Sequence, residues 1–262
     1  MAKLFIKQAE IYAEARPNYP QKLFQFISSK TPCKDLAWDV GTGSGQAAQS
    51  LAGIYKNVVA TDTSLNQLEF ATKLPNIKYN QTPPIIPMDK LEQYVSKQST
   101  VDLVTIAQAL HWFDLPTFYN QVKWVLKKPH GVIAAWCYTV PRVNLAVDSV
   151  FEPFYKIESG LYWDAARKWV DDKYEHIYFP FEAVEGSEGD ENKFEIEREM
   201  SLDEFLRYLR SWSAYQTAKE KGVELLGEHV VDKFKVAWNQ DGQFKKVVTF
   251  PVYLKIGKVG NI

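Results

Sequence analysis

Cysteine is scarce in this sequence: Cys33 and Cys137 are the only two among 262 residues, which leaves no disulfide framework to build on. Histidine is nearly as rare. His111, His130, His176 and His229 are the only four, none has metal-ligand spacing to either cysteine, and no metal is expected. An excess of one charge is missing too, since 31 basic and 32 acidic residues leave a formal charge of −1. No basic field is available to hold a polyanion, so nucleic acid is a poor partner. No apolar stretch approaches transmembrane length, which argues against a membrane partner. Residues 1–8 begin with charge, but their apolar run is far too short for a secretory signal. These absences together predict a reduced, soluble, cytoplasmic protein.

What is present is apolar and aromatic. Hydrophobic residues make up 46% and aromatic residues 14% of the chain, enough for a large core and for apolar pockets. The length allows one α/β domain with decorations, or a domain plus a small cap. From residue 35 to about 138, short apolar runs alternate with helical patterns, the mark of a parallel α/β sheet. Strands are expected at 36–40, 57–61, 77–80, 101–107 and 131–137, with helices at 46–55, 64–73, 90–97 and 116–127. Ahead of them, 20–29 places Leu23, Phe24, Phe26 and Ile27 on one helical face.

After Tyr138 the pattern changes. Val147, Val150, Phe151, Phe154 and Tyr155 have the spacing of an amphipathic helix. Residues 184–193 are acidic and glycine-bearing and read as a solvated loop. Phe194, Ile196 and Arg198 alternate with glutamates as in a half-exposed strand. Ser201-x-x-Glu204 is a capping box opening another helix. Val248, Phe250, Val252, Leu254 and Ile256 then alternate along a closing strand, and Pro251 within it predicts an edge or a bulge, because proline donates no ladder bond.

The informative stretch is Asp39-Val-Gly41-Thr-Gly43-Ser-Gly45, placed on a strand-to-helix turn. Glycine there permits positive φ and lets a ligand approach bare main chain. Asp62 ends the second strand, 21 residues past Gly41, where a carboxylate can accept both hydroxyls of a ribose. A dinucleotide fingerprint asks for G-x-G-x-x-G. Its last position here is Gln46, and Gly45 comes one residue early, a pattern suited to a cofactor with no pyrophosphate. Asp39 is placed to hold an α-amino group or its waters.

Here the sequence resembles the class I S-adenosylmethionine-dependent methyltransferases. The resemblance is carried by the glycine loop, the acid after strand two, Ala107-Gln108-Ala109 after strand four and Gly131 before strand five. Tyr12-x-x-x-Arg16-Pro17-x-Tyr19-Pro20 and His111-Trp112-Phe113 more narrowly resemble the subgroup of trans-aconitate methyltransferase and the plant embryo-abundant methyltransferase-like proteins. Residues 8–138 match well; the rest matches loosely, chiefly around Arg210-Ser-Trp212-Ser-Ala-Tyr215. The resemblance implies a Rossmann-like α/β fold, with a seven-stranded, mostly parallel sheet, an antiparallel last strand and helices on both faces. It implies one domain over 1–262: an N-terminal lid and helix (1–34), a cofactor core (35–138), a helical, substrate-side insertion holding strand six (139–246) and a closing strand (247–262). It also implies S-adenosyl-L-methionine as cofactor, held by Tyr12 and Arg16, by Asp39, Gly41, Thr42, Gly43 and Gly45, and by Asp62, Thr63, Gln81, Ala107 and Gln108. One departure stands out. Many relatives carry an acid after strand three for the adenine amino group, whereas here the stretch from Asn80 has none before Asp89, leaving Gln81 or main-chain carbonyls.

Methyl transfer from a sulfonium is an in-line displacement that proximity and orientation can largely accelerate. A carboxylate acceptor needs no base, whereas a phenol, alcohol or amine gains from one. Ligands of open α/β sheets bind at the carboxyl ends of the strands, where the strand-four exit places His111 and Trp112. His111 can orient the acceptor, act as a base, or simply tie down a loop. Trp112 is expected to wall a pocket. Arg16, stiffened by Pro17 and Pro20 and flanked by Tyr12 and Tyr19, reads as part of a lid that pairs with a carboxylate; a plain surface arginine is the rival. Trp212 and Tyr215 lie one helical turn apart and can share a pocket, although an aromatic stripe also makes core. The expected activity is methylation of a small molecule, preferably carboxyl O-methylation of a small organic acid, since no obvious base pair is present. The alternatives are a phenol or amine acceptor with His111 as base, a cofactor-binding protein without catalysis, and a nicotinamide-dependent oxidoreductase. Gln46 and the lack of a Tyr-x-x-x-Lys pair oppose the last.

Overall fold

Runs of consecutive apolar residues become the central strands, because a parallel strand covered on both faces has no wet side on which to alternate. In the computed structural model, residues 18–186 and 194–260 are described. β1 (Leu36–Val40), β2 (Asn57–Asp62), β4 (Leu103–Ala107) and β5 (Val132–Tyr138) are almost wholly buried, while β3 (Ile77–Gln81) is half exposed. The first five strands are parallel, and β8 (Lys245–Lys258) runs antiparallel to β5. The order is β3-β2-β1-β4-β5-β8-β6, where β6 is only Glu182–Ala183. The strand order reverses between β1 and β4, and a crevice at such a switch point is where α/β sheets bind ligands.

The expected seven strands become eight. The addition is the two-residue β6, which pairs with β8, while the expected strand at Phe194 is β7 (Phe194–Ser201), also paired with β8. Pro251 marks a break in β8's pairing: β5 pairs with it from Val252 onward, whereas Thr249 instead exchanges backbone bonds with Arg142, in a changed register.

The chain divides into two units. The larger comprises Asn18–Thr139, Trp169–Phe194 and the chain from Val252, and the smaller comprises Val140–Lys168 and Glu195–Pro251. In the larger unit, α1 (Gln21–Ser29) buries Leu23, Phe24 and Ile27, and α2 (Gln46–Ala52) stops at Gly53. Two helices are shorter than their patterns. α3 is only Leu65–Glu69, and Pro75 bars Leu74 from helical geometry soon after it. α4 is Leu91–Tyr94 after a 3₁₀ turn, and ends at Val95, whose φ of −120° leaves the helical region. α5 (Leu115–Val125) covers the core with Phe118, Tyr119, Val122 and Val125. Strand four starts at Leu103 because Val101 forms only a lone bridge to Leu126.

In the smaller unit α6 (Leu145–Pro153) passes into a π-helical turn, Phe154–Glu158. Pro153 has no N–H to donate, which fits a change of hydrogen-bond register at that point. A further short helix, α7, covers Arg167–Asp171, where the chain passes back to the larger unit. In the smaller unit, α8 (Leu202–Arg210) opens on the expected capping box, with both reciprocal Ser201–Glu204 bonds present. α9 (Ser213–Glu220) and α10 (Glu228–Trp238) complete it. Among the described residues, no helix is long and apolar enough to cross a membrane.

Candidate functional site

The loop from β1 to α2 is shaped by left-handed backbone. Gly41, Gly43 and Gly45 have φ of +62°, +57° and +83°, values at which an L side chain is strained. The three differ in what surrounds them. A Cβ on Gly41 would come within 2.8 Å of Ala109 Cβ, and one on Gly45 within 2.5 Å of the Tyr79 hydroxyl. On Gly43 the nearest atom would be Gln67 Oε1 at 3.7 Å. Gly41 and Gly45 are therefore glycine for packing, while the face of Gly43 stays open.

Asp62 braces this loop from the end of β2. The Gly43 N–H donates to its Oδ2 and the Ser64 N–H to its Oδ1, both at 2.8 Å, and each oxygen retains a lone pair. Two buried polar atoms nearby, Ser44 Oγ and Gln67 Oε1, have no hydrogen-bond partner among the described residues. Open main chain at Gly43, a carboxylate with spare acceptor capacity and two orphaned polar atoms fit a polar, hydroxyl-bearing ligand, as S-adenosylmethionine is. When bound, that cofactor supplies an electrophilic methyl group on its sulfonium.

Asp39 lies beneath the loop, fully buried. Thr42 Oγ1 donates to its Oδ2 at 2.5 Å and Thr105 Oγ1 to its Oδ1 at 2.7 Å. Burial pushes its carboxyl up to about 6, the threonine hydroxyls pull against that rise, and the charge of Asp62 adds to it. Thr42 is itself buried, and its N–H donates to Thr61 O at 3.0 Å.

The exit of β4 is built on strain. Gln108 is not glycine, yet its φ is +57°. Its side chain clasps the end of β5: Nε2 donates to Tyr138 O at 3.1 Å and Oε1 accepts from Tyr138 N–H at 3.2 Å. Gln108 N–H donates to Trp136 O at 2.8 Å. The following turn presents His111 and Trp112, their rings 4.7 Å apart, with Trp112 57% exposed. His111 Nδ1 lies 2.8 Å from the hydroxyl of Tyr174, which is fully buried.

The other expected residues are placed as follows. Ala107 is half-buried at the end of β4. Gln81 and Thr63 are exposed, and Gln81 Nε2 donates to Thr63 O at 3.1 Å. Trp212 is buried in the smaller unit's own aromatic core, edge-on to Phe151 and Tyr208, each at 5.8 Å. Tyr215 is buried there too, its hydroxyl donating to the Glu224 carboxylate, and burial and that carboxylate both raise its pKa. Tyr12 and Arg16 lie outside the described residues, as does most of the acidic loop. Among the described residues one trio, Cys33, Asp35 and Asp102, brings possible metal-ligand atoms within 4.8 Å of one another. Lys127 pairs with both carboxylates, at 3.1 and 2.7 Å, and Asp102 Oδ2 also accepts the N–H groups of Asp35 and Leu36.

Sequence reasoning missed Thr105, Tyr174 and Gln67. Thr105 had a signal, as the one hydroxyl in an apolar strand. Tyr174 had none, since 63 residues separate it from His111.

Comparison with known proteins agrees with this geometry. A methyltransferase domain family matches residues 38–135. A protein of Dictyostelium discoideum named as a methyltransferase is 33% identical over 94% of this chain and 91% of its own. A Saccharomyces cerevisiae protein named as an S-adenosylmethionine-dependent methyltransferase is 25% identical over 78% of each chain. Among solved structures, one described as a type II methyltransferase from Anaeromyxobacter dehalogenans is 31% identical, covers 93% of this chain and 97% of its own, and aligns with a TM-score of 0.79. With these relatives, its glycine loop and its sheet order, the chain belongs to the class I S-adenosylmethionine-dependent methyltransferases.

Proposed function

We propose that this methyltransferase acts on a small molecule, and that its acceptor is the carboxylate of a small organic acid. The observation that carries the reading is the pairing of His111 with Tyr174 at the β4 exit. A histidine built as a general base is commonly oriented by a carboxylate that stabilises its charged form. Here Nδ1 is engaged by the phenol of Tyr174, an arrangement that orients the ring. A carboxylate acceptor is ionised above about pH 5 and needs no base, so the group beside it has only to orient it. Trp112, exposed next to His111, would form an apolar wall.

The direct test incubates the protein with methyl-labelled S-adenosylmethionine and a panel of small acids, phenols and amines. Label released as methanol on mild alkaline treatment identifies a carboxyl methyl ester. Label that stays on a phenol or amine overturns the reading. With an acid substrate, His111→Gln should mainly raise KM and leave the kcat profile flat from about pH 6 to 8, where a free histidine would titrate. A rise in wild-type kcat through that range, lost in His111→Gln, would instead make His111 a base and the acceptor a phenol or amine.

The cofactor side has its own check. Asp62→Ala removes an ionised acceptor and leaves the Gly43 N–H without its partner. S-adenosylmethionine binding should weaken by about 1–3 kcal/mol, read by calorimetry on the folded variant. Unchanged affinity would remove Asp62 from the site.

A further inference from the structure

The hydrogen bond between His111 Nδ1 and the Tyr174 hydroxyl, at 2.8 Å, can run in either direction. The direction decides what the other ring nitrogen is. If Nδ1–H donates, Nε2 carries the lone pair and can take a proton. If the phenol donates, Nδ1 is the acceptor and the neutral ring must hold its proton on Nε2. A phenol, with a pKa of about 10, is a far stronger acid than a neutral imidazole N–H, and the imidazole lone pair is a far better acceptor than a phenol oxygen. Acid–base matching therefore favours the phenol as donor.

We propose that Tyr174 is a positioning residue: it fixes His111 as the Nε2–H tautomer, so that His111 presents a hydrogen-bond donor to an anionic acceptor oxygen. The inference rests on the carboxylate reading given above and assigns His111 its part in it. The backbone supports it independently. Lys173 and Tyr174 are consecutive left-handed residues, with φ of +56° and +61°, and neither is glycine. L residues take up that conformation at a cost, and such strain persists where the surrounding structure enforces it. Here the turn is closed on both sides, Tyr174 N–H donating to Trp169 O at 2.8 Å and Ile177 N–H to Tyr174 O at 3.1 Å. The strained turn delivers a fully buried phenol to one nitrogen of a half-buried histidine. The Trp112 ring at 4.7 Å and the Tyr174 ring at 5.9 Å flank the imidazole. A chain that needed only a bulky apolar core residue at this position would gain nothing from a hydroxyl aimed at Nδ1.

The test reads the tautomer directly and needs no substrate. In the full-length protein, labelled with nitrogen-15 and held near pH 8, a long-range proton–nitrogen correlation spectrum resolves the imidazoles. With four histidines in the chain, His111 is assigned by the signals lost in His111→Gln. The expected wild-type pattern has Nδ1 at the frequency of an unprotonated nitrogen and Nε2 at that of a protonated one. Tyr174→Phe keeps the ring and removes the donor, and the His111 nitrogen signals should then shift, with Nδ1 moving toward the protonated frequency. A wild-type spectrum showing Nδ1–H, or both nitrogens protonated, overturns the proposal. So does a pattern left unchanged by Tyr174→Phe. If that variant does not fold, the wild-type tautomer alone decides. Because methanol release tests the acceptor and this spectrum tests the ring, failure of one is distinct from failure of the other.

Discussion

A Gly43→Val variant is expected to bind no S-adenosylmethionine detectable by calorimetry while keeping its sheet folded. The loop glycines are not interchangeable in this respect. Replacing Gly41 or Gly45 drives a Cβ to 2.8 Å from Ala109 or 2.5 Å from the Tyr79 hydroxyl, so a loss of binding there would be confounded with misfolding. At Gly43 the nearest atom is 3.7 Å away, and the cost to the fold comes from backbone strain at φ +57°. That cost is about 1–2 kcal/mol for an L residue in the left-handed region, or about 2–8 °C in Tm at this chain length. The isopropyl group would then occupy the open face on which the ligand must lie. Gly43→Ala, with a single methyl, should show an intermediate loss. Wild-type affinity in a folded Gly43→Val would mean that the turn is glycine-rich for structural reasons alone, and that the cofactor is held elsewhere.

How much of this is legible in the sequence depends on how far each feature reaches along the chain. β1, β2, β4 and β5 can be read because burial on both faces writes itself as a local apolar run. The glycine loop can be read because a tight turn needs its residues adjacent, and Asp62 because a strand end follows from the strand. What escapes depends on distant partners. Nothing near Gln108 says that its side chain will clasp the backbone of Tyr138, 30 residues on, and its positive φ is enforced from outside. The same holds for Tyr174 and His111. β7 reads as a strand, but its pairing with β8 does not follow, since alternation gives a strand's wet and dry faces without naming its neighbour. The overlong helices fail for a different reason: helical spacing continues through residues 70–73, but periodicity carries no signal for where a helix stops, and α3 already caps at Phe70. Asp39 shows the reverse case. Its position is plain in the sequence, while its surroundings come only from the structure, where Thr105 arrives from a strand 66 residues away to take one oxygen.

That burial makes Asp39→Asn the second large effect, this time on stability. Burial, the largest cause, and the neighbouring Asp62 charge raise the Asp39 carboxyl from 3.8 to about 6, against the pull of the Thr42 and Thr105 hydroxyls. The folded protein therefore keeps this proton at pH values where the unfolded chain has already lost it. Between about pH 4 and 6 the native state binds more protons than the unfolded state, so this group's contribution to stability falls as pH rises. It is full below the unfolded value, is lost as pH rises through the folded value, and does not return. The span is about 3 kcal/mol, at about 1.4 kcal/mol per pKa unit. Asparagine cannot ionise but keeps a similar shape between the two threonines. Urea unfolding at about pH 4, 5, 6 and 7.5 should thus show Asp39→Asn gaining on the wild type by about 2 kcal/mol between the lowest and highest pH, since pH 4 already lies above the unfolded value. Parallel curves would mean that Asp39 is already ionised when folded at pH 4. The same variant separates a brace from a ligand. Because both carboxylate oxygens are engaged by threonine hydroxyls, its affinity for S-adenosylmethionine at about pH 7.5 should fall less than about tenfold, or 1.4 kcal/mol. A larger loss in a variant that is no less stable would put the Asp39 charge on the cofactor's ammonium group, and the threonines would then be holding it in position for that contact.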